Sequence, residues 1–504
     1  MLFNKKYLNP ETLFFYGFLV ISLINVWAVN VYSTIDGPAH LYNAGLLNLF
    51  DGNSFLNEYF QKNDLFLPNY FSHILLSNLF LFFDPFTSEK IFLSFLVLFM
   101  PLSFRLVIKL YTKNTLYSFL IFPLVFSFLM HVGFFNFCAA FIFFNCQLAL
   151  LFFFLKENKK WHHLVLFVLN SIILFNAHAF VFVASLIVVF LITIVYFRAD
   201  FKVLFKKLMF LLLLFLPAII LFSIFYFKYP IPNYDYTSTD YEKFSKIVGF
   251  SPAIVFSKET DGINTGIIFA VLFFLANAVF FKRFVFASEK KTINYTDVFL
   301  ALSIILVPIV LYTNSGWLSA MLSERLLFMF FYFMVFWIAF NALEFKSIYF
   351  ISAIVIFNSF YNLSSIRNKV LIQLSAHAEK IIATSEYIKE KSTVFSVDYS
   401  DSWLEPHFSN YLGVNKAVVN LDNYEAVLGW FPLKWKDKKY VAVSWEATLS
   451  NKHNRLPDYI FIYGNLSKIN NVENLKFKQF IDSNTVKRYE SNDRYCCLYE
   501  VTKK

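Results

Sequence analysis

Long apolar runs, broken only by short polar stretches, fill the chain from residue 13 to residue 361. Inside a bilayer every backbone N–H and C=O must be satisfied within the protein, so a spanning run of this kind is a helix. Crossing the hydrocarbon core takes roughly 20 apolar residues. The runs at 13–31, 91–110, 116–130, 137–155, 164–175, 180–197, 208–227, 263–281, 298–312, 326–343 and 348–361 meet or approach that length, which predicts about 11 crossing helices. Composition agrees. Of 504 residues, 58% are hydrophobic and 15% charged, which excludes a soluble globular protein. Phe supplies 70 residues, spread through the runs as lipid-facing surface and bundle filler.

The formal charge of +10 does not point to nucleic acid, because the basic residues sit mostly in short loops between apolar runs. Residues 70–83 are apolar but short, and counting them as a crossing scatters the basic loops over both sides. Placed in the interface, they leave Lys5/Lys6, Arg105/Lys109/Lys113, Lys156/Lys159/Lys160, Arg198/Lys202/Lys206/Lys207 and Lys282/Arg283/Lys290/Lys291 on one side, the cytoplasmic one. The loop after the first helix and the C-terminal tail are then extracytoplasmic. Run 13–31 is too long for a signal-peptide core and lacks a small-x-small site after it, so it is read as a retained helix. The four cysteines show no C-x-x-C spacing, and no His-x-x-x-His pair appears, so no metal ligand is predicted.

From Asn362 onward the composition turns polar. Residues 376–391 read as an amphipathic helix. Short β-rich runs follow at 394–397, 417–421, 440–443, 459–463 and 495–501. The expected architecture is an α-helical polytopic membrane bundle over 1–362, followed by an extracytoplasmic α/β domain over 363–504.

Candidate chemistry gathers on the predicted outer side. The first helix is followed by Thr34-Ile35-Asp36-Gly37-Pro38-Ala39-His40-Leu41-Tyr42. Asp before Gly-Pro suits a helix cap, here of a helix over 38–50. An ionisable residue at the lip of a membrane helix is also a functional candidate, here a carboxylate that orients or deprotonates an incoming nucleophile. The two roles can coexist. His40, one turn on, is close enough to share a substrate or a divalent cation with Asp36. His131, Asn136 and His178 lie at helix ends on the same side. Glu324 and Arg325 open the helix beginning at Leu326, where Arg's fork of donors suits a phosphate; adjacent residues point apart, so the two are not expected to pair. The tyrosines of the loop 228–262 are a platform for a sugar face or an ordinary interfacial belt. Asn423-Tyr424-Glu425-Ala426 reads as a fold signal without chemistry.

These features together resemble the GT-C superfamily of polytopic glycosyltransferases, in particular the bacterial relatives of protein mannosyltransferases. The first helix followed by Asp36-Gly37-Pro38-Ala39-His40, the interfacial helix, the polar helix breaks, Glu324-Arg325 and the outer tail domain carry the likeness. The resemblance implies a polyprenyl-phosphate sugar donor and an extracytoplasmic site in the bacterial inner membrane. It makes Asp36 the catalytic carboxylate; from their residue types and predicted places on the outer side, His40, Tyr42, His131, Asn136, His178, Glu324 and Arg325 are the expected substrate contacts. A second outer acidic residue is common in the family; Glu58, Asp64 and Glu324 are candidates. The acceptor is a glycan, lipid or protein hydroxyl; no cofactor is required by any motif, and a divalent cation is compatible with the site. The rival readings are a transporter or lipid flippase, which would place ionisable groups near the bilayer midplane, and a noncatalytic envelope-assembly protein.

Overall fold

The computed structural model of the chain describes residues 9–64, 66–157, 160–229, 240–286, 293–312, 321–437, 440 and 456–502. Ten of the eleven predicted runs overlap a single α-helix, and run 116–130 falls on a 3₁₀ stretch, Ser118–Leu124, and a short helix, Phe128–Val132. Eight are long and apolar enough to cross a membrane, and Ser118–Val132, Trp161–Ala177 and Asp297–Tyr312 are shorter apolar helices. The chain is an integral membrane protein with a polytopic helical bundle. The predicted amphipathic segment at 376–391 is not a separate helix. Lys346–Thr384 runs unbroken for 39 residues, because the stretch contains neither Pro nor Gly to end it.

The chain divides into two compact units, and the division differs from a single cut near residue 362. One unit comprises Met1–Val26, Ser94–Met130 and Phe135–Asn368; the other comprises Trp27–Leu93, His131–Phe134 and Lys369–Lys504.

The first unit is the bundle. Burial grades its helices: 83% of the apolar window of Leu322–Phe340 and 72% of that of Phe135–Leu155 are buried, against 17% for Phe201–Lys228. The first two form the centre and the last is left for lipid. Phenylalanine fills that centre through offset and edge contacts, such as Phe137 on Phe328 and Phe141 on Tyr332. Tyr332 donates to Asn145 Oδ1 at 2.7 Å, and Asn145 donates to Ser103 Oγ at 2.9 Å, satisfying polar atoms that would otherwise be costly to bury. The ends segregate as the charge pattern requires. Arg105 pairs with Glu11, Lys207 with Glu157 and Arg283 with Asp297, while the rings of Tyr111 and Tyr196 both meet Tyr295. Several of the basic loops therefore share one end of the bundle.

The second unit joins the first loop to the tail. Its sheet has five strands in the order Val418–Asn420, Ser392–Tyr399, Tyr459–Gly464, Cys496–Val501, Thr485–Glu490, with the first three parallel and the last two antiparallel. Four predicted strands are recovered; the run 440–443 lies largely outside the described residues. A second, two-stranded ladder pairs Phe60–Lys62 antiparallel with Leu433–Trp435, so loop and tail occupy the same side of the membrane. Residues 70–83 form a nine-residue helix, Phe71–Leu79, inside this unit and far too short to span.

The helix predicted over 38–50 is present as Gly37–Leu49, and all its residues through Leu46 are buried. Gly45 lets it lie against the segment after Phe408–Gly413, since a Cβ there would stand 2.1 Å from the Val414 carbonyl oxygen.

Candidate functional site

Asp36 is held by its own backbone first. Its amide donates to the Val132 carbonyl at 2.9 Å, and the Ile35 amide donates to that of His131 at 3.2 Å. The chain turns away at Gly133, where φ is +95° and a Cβ would sit 2.7 Å from Asp36 Cβ. Only glycine fits that conformation and that approach. Asp36 opens the helix without capping it: its backbone is helical, its side chain makes no cap bond, and the Thr34 hydroxyl accepts the Gly37 amide at 2.9 Å. The capping explanation for the carboxylate thus fails. Among residues 31–46 only Ile35 and Asp36 are not buried.

Around this carboxylate stand Tyr424, whose hydroxyl donates to it, and His407, whose Nε2 lies 3.9 Å from Oδ1. The His407 ring stacks on Tyr424 with centroids 4.2 Å apart. Burial pushes His407 down to about 4, so at neutral pH it is an uncharged imidazole and the approach to Asp36 is no ion pair.

One turn further, His40 points into a buried cluster with His73 and Glu425. His40 Nδ1 lies 2.6 Å from Glu425 Oε1 and 3.2 Å from His73 Nε2; His73 Nε2 lies 2.9 Å from Glu425 Oε2. Burial alone would disfavour both charges. For Glu425 the attraction of His40 and His73 outweighs it and holds the carboxyl at about 2; for His40 the same carboxylate outweighs burial and raises it to about 9. His73 moves the other way, lowered by burial and the neighbouring His40. Asn43 steadies the group, donating to Glu425 Oε2 at 2.7 Å and exchanging side-chain bonds with Asn423.

Other expected contacts fall elsewhere. Tyr42 is fully buried, and its hydroxyl accepts the Asn420 amide and donates to the Val418 carbonyl. It completes the bonding of an edge strand and belongs to the core, not to a substrate surface. His131 is buried with Nε2 at 3.2 Å from the Tyr32 hydroxyl. Glu58 and Asp64 are exposed.

Asn136, His178, Glu324 and Arg325 belong to the bundle unit. Arg325 donates to His178 Nε2 at 3.2 Å and lies over the Phe137 ring. Glu324 takes Lys246 at 2.8 Å, so the adjacent pair does diverge. Asn136 is buried at the start of its helix. Residues 230–239 and 313–320, which hold most of the tyrosine-rich loop and the approach to Glu324, lie outside the described residues.

Sequence reasoning missed His73 and Glu425, and it gave the segment 423–426 no chemistry. Their signal is not local, since 33 residues separate His40 from His73 and 352 separate His73 from Glu425. Glu89 was missed as well: it is fully buried, and neither carboxylate oxygen has a hydrogen-bond partner among the described residues.

No protein-family model matches the sequence, and no curated protein matches it. Among solved structures, that of ArnT from Cupriavidus metallidurans bound to undecaprenyl phosphate aligns with a TM-score of 0.58 at 8% identity, covering 97% of each chain. An alignment spanning nearly all of both chains at so low an identity is a likeness of architecture, and the chain has the GT-C-like fold.

Proposed function

We propose that this protein transfers a sugar from a polyprenyl-phosphate donor to an acceptor hydroxyl at the extracytoplasmic face of the membrane. The observation that carries the reading is Asp36, an accessible carboxylate in a buried stretch, free of any capping duty. The fold adds support, since ArnT with that architecture binds undecaprenyl phosphate.

The chemistry follows from the leaving group. A polyprenyl phosphate departs without a strong acid to protonate it. Asp36 orients the acceptor hydroxyl and takes its proton as the oxygen attacks the anomeric carbon. The bond from that carbon to the phosphate oxygen breaks, the lipid phosphate leaves with the electron pair, and a single displacement inverts the anomeric configuration. Arg325, a fixed cation at the opening of its helix, is assigned to the phosphate charge.

Asp36→Asn tests the reading. The variant is expected to insert and accumulate normally while sugar transfer, measured as product formed from a lipid-linked donor, falls by roughly 10²–10⁴-fold. Full activity removes Asp36 from the role. Orientation is tested by Val472→Cys, a position 84% exposed in the tail. A membrane-impermeant maleimide should label it on intact spheroplasts; labelling only after permeabilisation overturns the assigned side.

A further inference from the structure

The ring nitrogens of His40 and His73 that do not face Glu425 are both occupied. His40 Nε2 donates to the Gly133 carbonyl at 2.8 Å, and His73 donates to the Asn69 backbone. Each bond orients its ring so that His40 Nδ1 and His73 Nε2 face the Glu425 carboxylate. Three electron-pair donors therefore converge in a space sealed from water, with side-chain exposures of 4% for His40 and 0% for His73 and Glu425.

Glu425 Oε1 approaches His40 Nδ1 to 2.6 Å, and Glu425 Oε2 lies 2.9 Å from His73 Nε2. The arrangement is that of ligands disposed around a point. The ligand atoms all lie within 4.8 Å of one another. Tetrahedral bonds of ~2.0–2.1 Å separate ligand atoms by roughly 3.3 Å, so contacts of 2.6–3.2 Å open by about 0.1–0.7 Å to admit an ion. The outward N–H bonds to backbone carbonyls, and the Asn43 bond to Oε2, are the outer contacts that metal-ligating imidazoles and carboxylates require.

We propose that His40, His73 and Glu425 bind a divalent transition-metal ion of the zinc class. Two imidazoles and one carboxylate suit that class better than calcium or magnesium, which call for oxygen ligands. The ion ties the helix that begins beside Asp36 to the short helix Phe71–Leu79 and to the tail segment at Glu425. Its role is positional: it fixes the helix whose first turn follows the candidate catalytic carboxylate. The inference does not depend on the glycosyl-transfer reading.

The test uses the full-length protein, purified in detergent without chelator through a non-histidine tag from zinc-supplemented cells. Elemental analysis is expected to find about one zinc per chain. Glu425→Gln keeps the side chain's shape and should lower zinc affinity at least tenfold; His73→Gln should do the same. His407→Gln, outside the cluster, should keep its zinc. Cobalt added to metal-free protein should give visible d–d bands that both ligand variants lose. Zinc far below one per chain in the parent overturns the proposal, as does equal zinc in all variants, which would mark an adventitious ion only. Should the ligand variants fail to accumulate, the parent decides. Chelation should lower its melting temperature and zinc alone should restore it; an unchanged melting temperature refutes the site.

Discussion

The two units bury their carboxylates against different partners. In the bundle the partner is arginine: Glu11 meets Arg105, Asp297 meets Arg283, and Asp261 meets Arg367. In the loop–tail unit it is histidine for Glu425, which meets His40 and His73, and for Glu405, which meets His377, while buried Glu89 has no hydrogen-bond partner among the described residues. A guanidinium keeps its charge at any accessible pH and offers only donors. Such pairs are fixed fastenings. An imidazole can exchange its proton for a metal or offer a lone pair, so the histidine partners leave chemistry open. The contrast places adaptable groups in the unit that holds Asp36 and permanent ones in the helices that must stay assembled in lipid.

Breaking a fixed fastening should therefore cost the most stability. Arg367 is 5% exposed, bonds the Phe126 and Ala253 carbonyls and lies 3.6 Å from the fully buried Asp261. Arg367→Met leaves that carboxylate without its cation and should destabilise by ~3–5 kcal/mol, read as a lower unfolding midpoint in detergent. A loss under ~1 kcal/mol would erase the distinction between the units. In the other unit, Gly133→Ala forces a side chain into a left-handed position against Asp36. A loss of ~1–3 kcal/mol is expected, together with a fall in transfer rate that a mere stability defect would not give once the protein is assayed well below its midpoint.

A smaller effect separates charge from geometry within the bundle. Arg325→Lys keeps the cation but removes the planar fork, and should raise the KM for the lipid donor roughly tenfold with the acceptor KM little changed. The reverse pattern would detach Arg325 from the phosphate. The smallest effect concerns Asp422, raised to about 7 by burial and then by Asp398, with a Ser409 hydroxyl opposing. A folded pKa above the unfolded ~3.9 means the folded state binds the proton more tightly. The resulting stability is complete below about pH 4 and is lost as pH rises through about 7. Asp422→Asn should remove that slope, so that the variant gains stability relative to the parent between pH 5 and pH 8. Parallel melting curves at pH 5 and pH 8 would contradict it.

The sequence spoke most clearly where a single segment carries its own signal. Apolar length located the helices, and Asp36-Gly37-Pro38 located the start of the next one to within a residue. Positive charge at loop ends foretold the shared end that Arg105 and Arg283 mark. Signals that need a partner were lost. Thr485–Glu490 carries Lys487, Arg488 and Glu490 on an edge and shows no apolar alternation. Phe60–Lys62 and Leu433–Trp435 are three residues each, too short for a periodicity to register. The reading of Asp36 as a helix cap rests on local chemistry, and it fails because the Thr34 hydroxyl accepts the Gly37 amide instead. His73 and Glu425 have no meaning until the fold brings them beside His40.

The antiparallel ladder between Phe60–Lys62 and Leu433–Trp435 has a consequence for biogenesis. At ~5–20 residues per second, the ribosome needs roughly 20–70 s to make the chain between these strands. During that interval the early loop stands without its complement, its apolar helix unshielded while every later span is threaded into the bilayer. A truncation that removes the late strand would thus strand the early loop half-made, and quality-control proteases should find it there before any defect in the bundle appears.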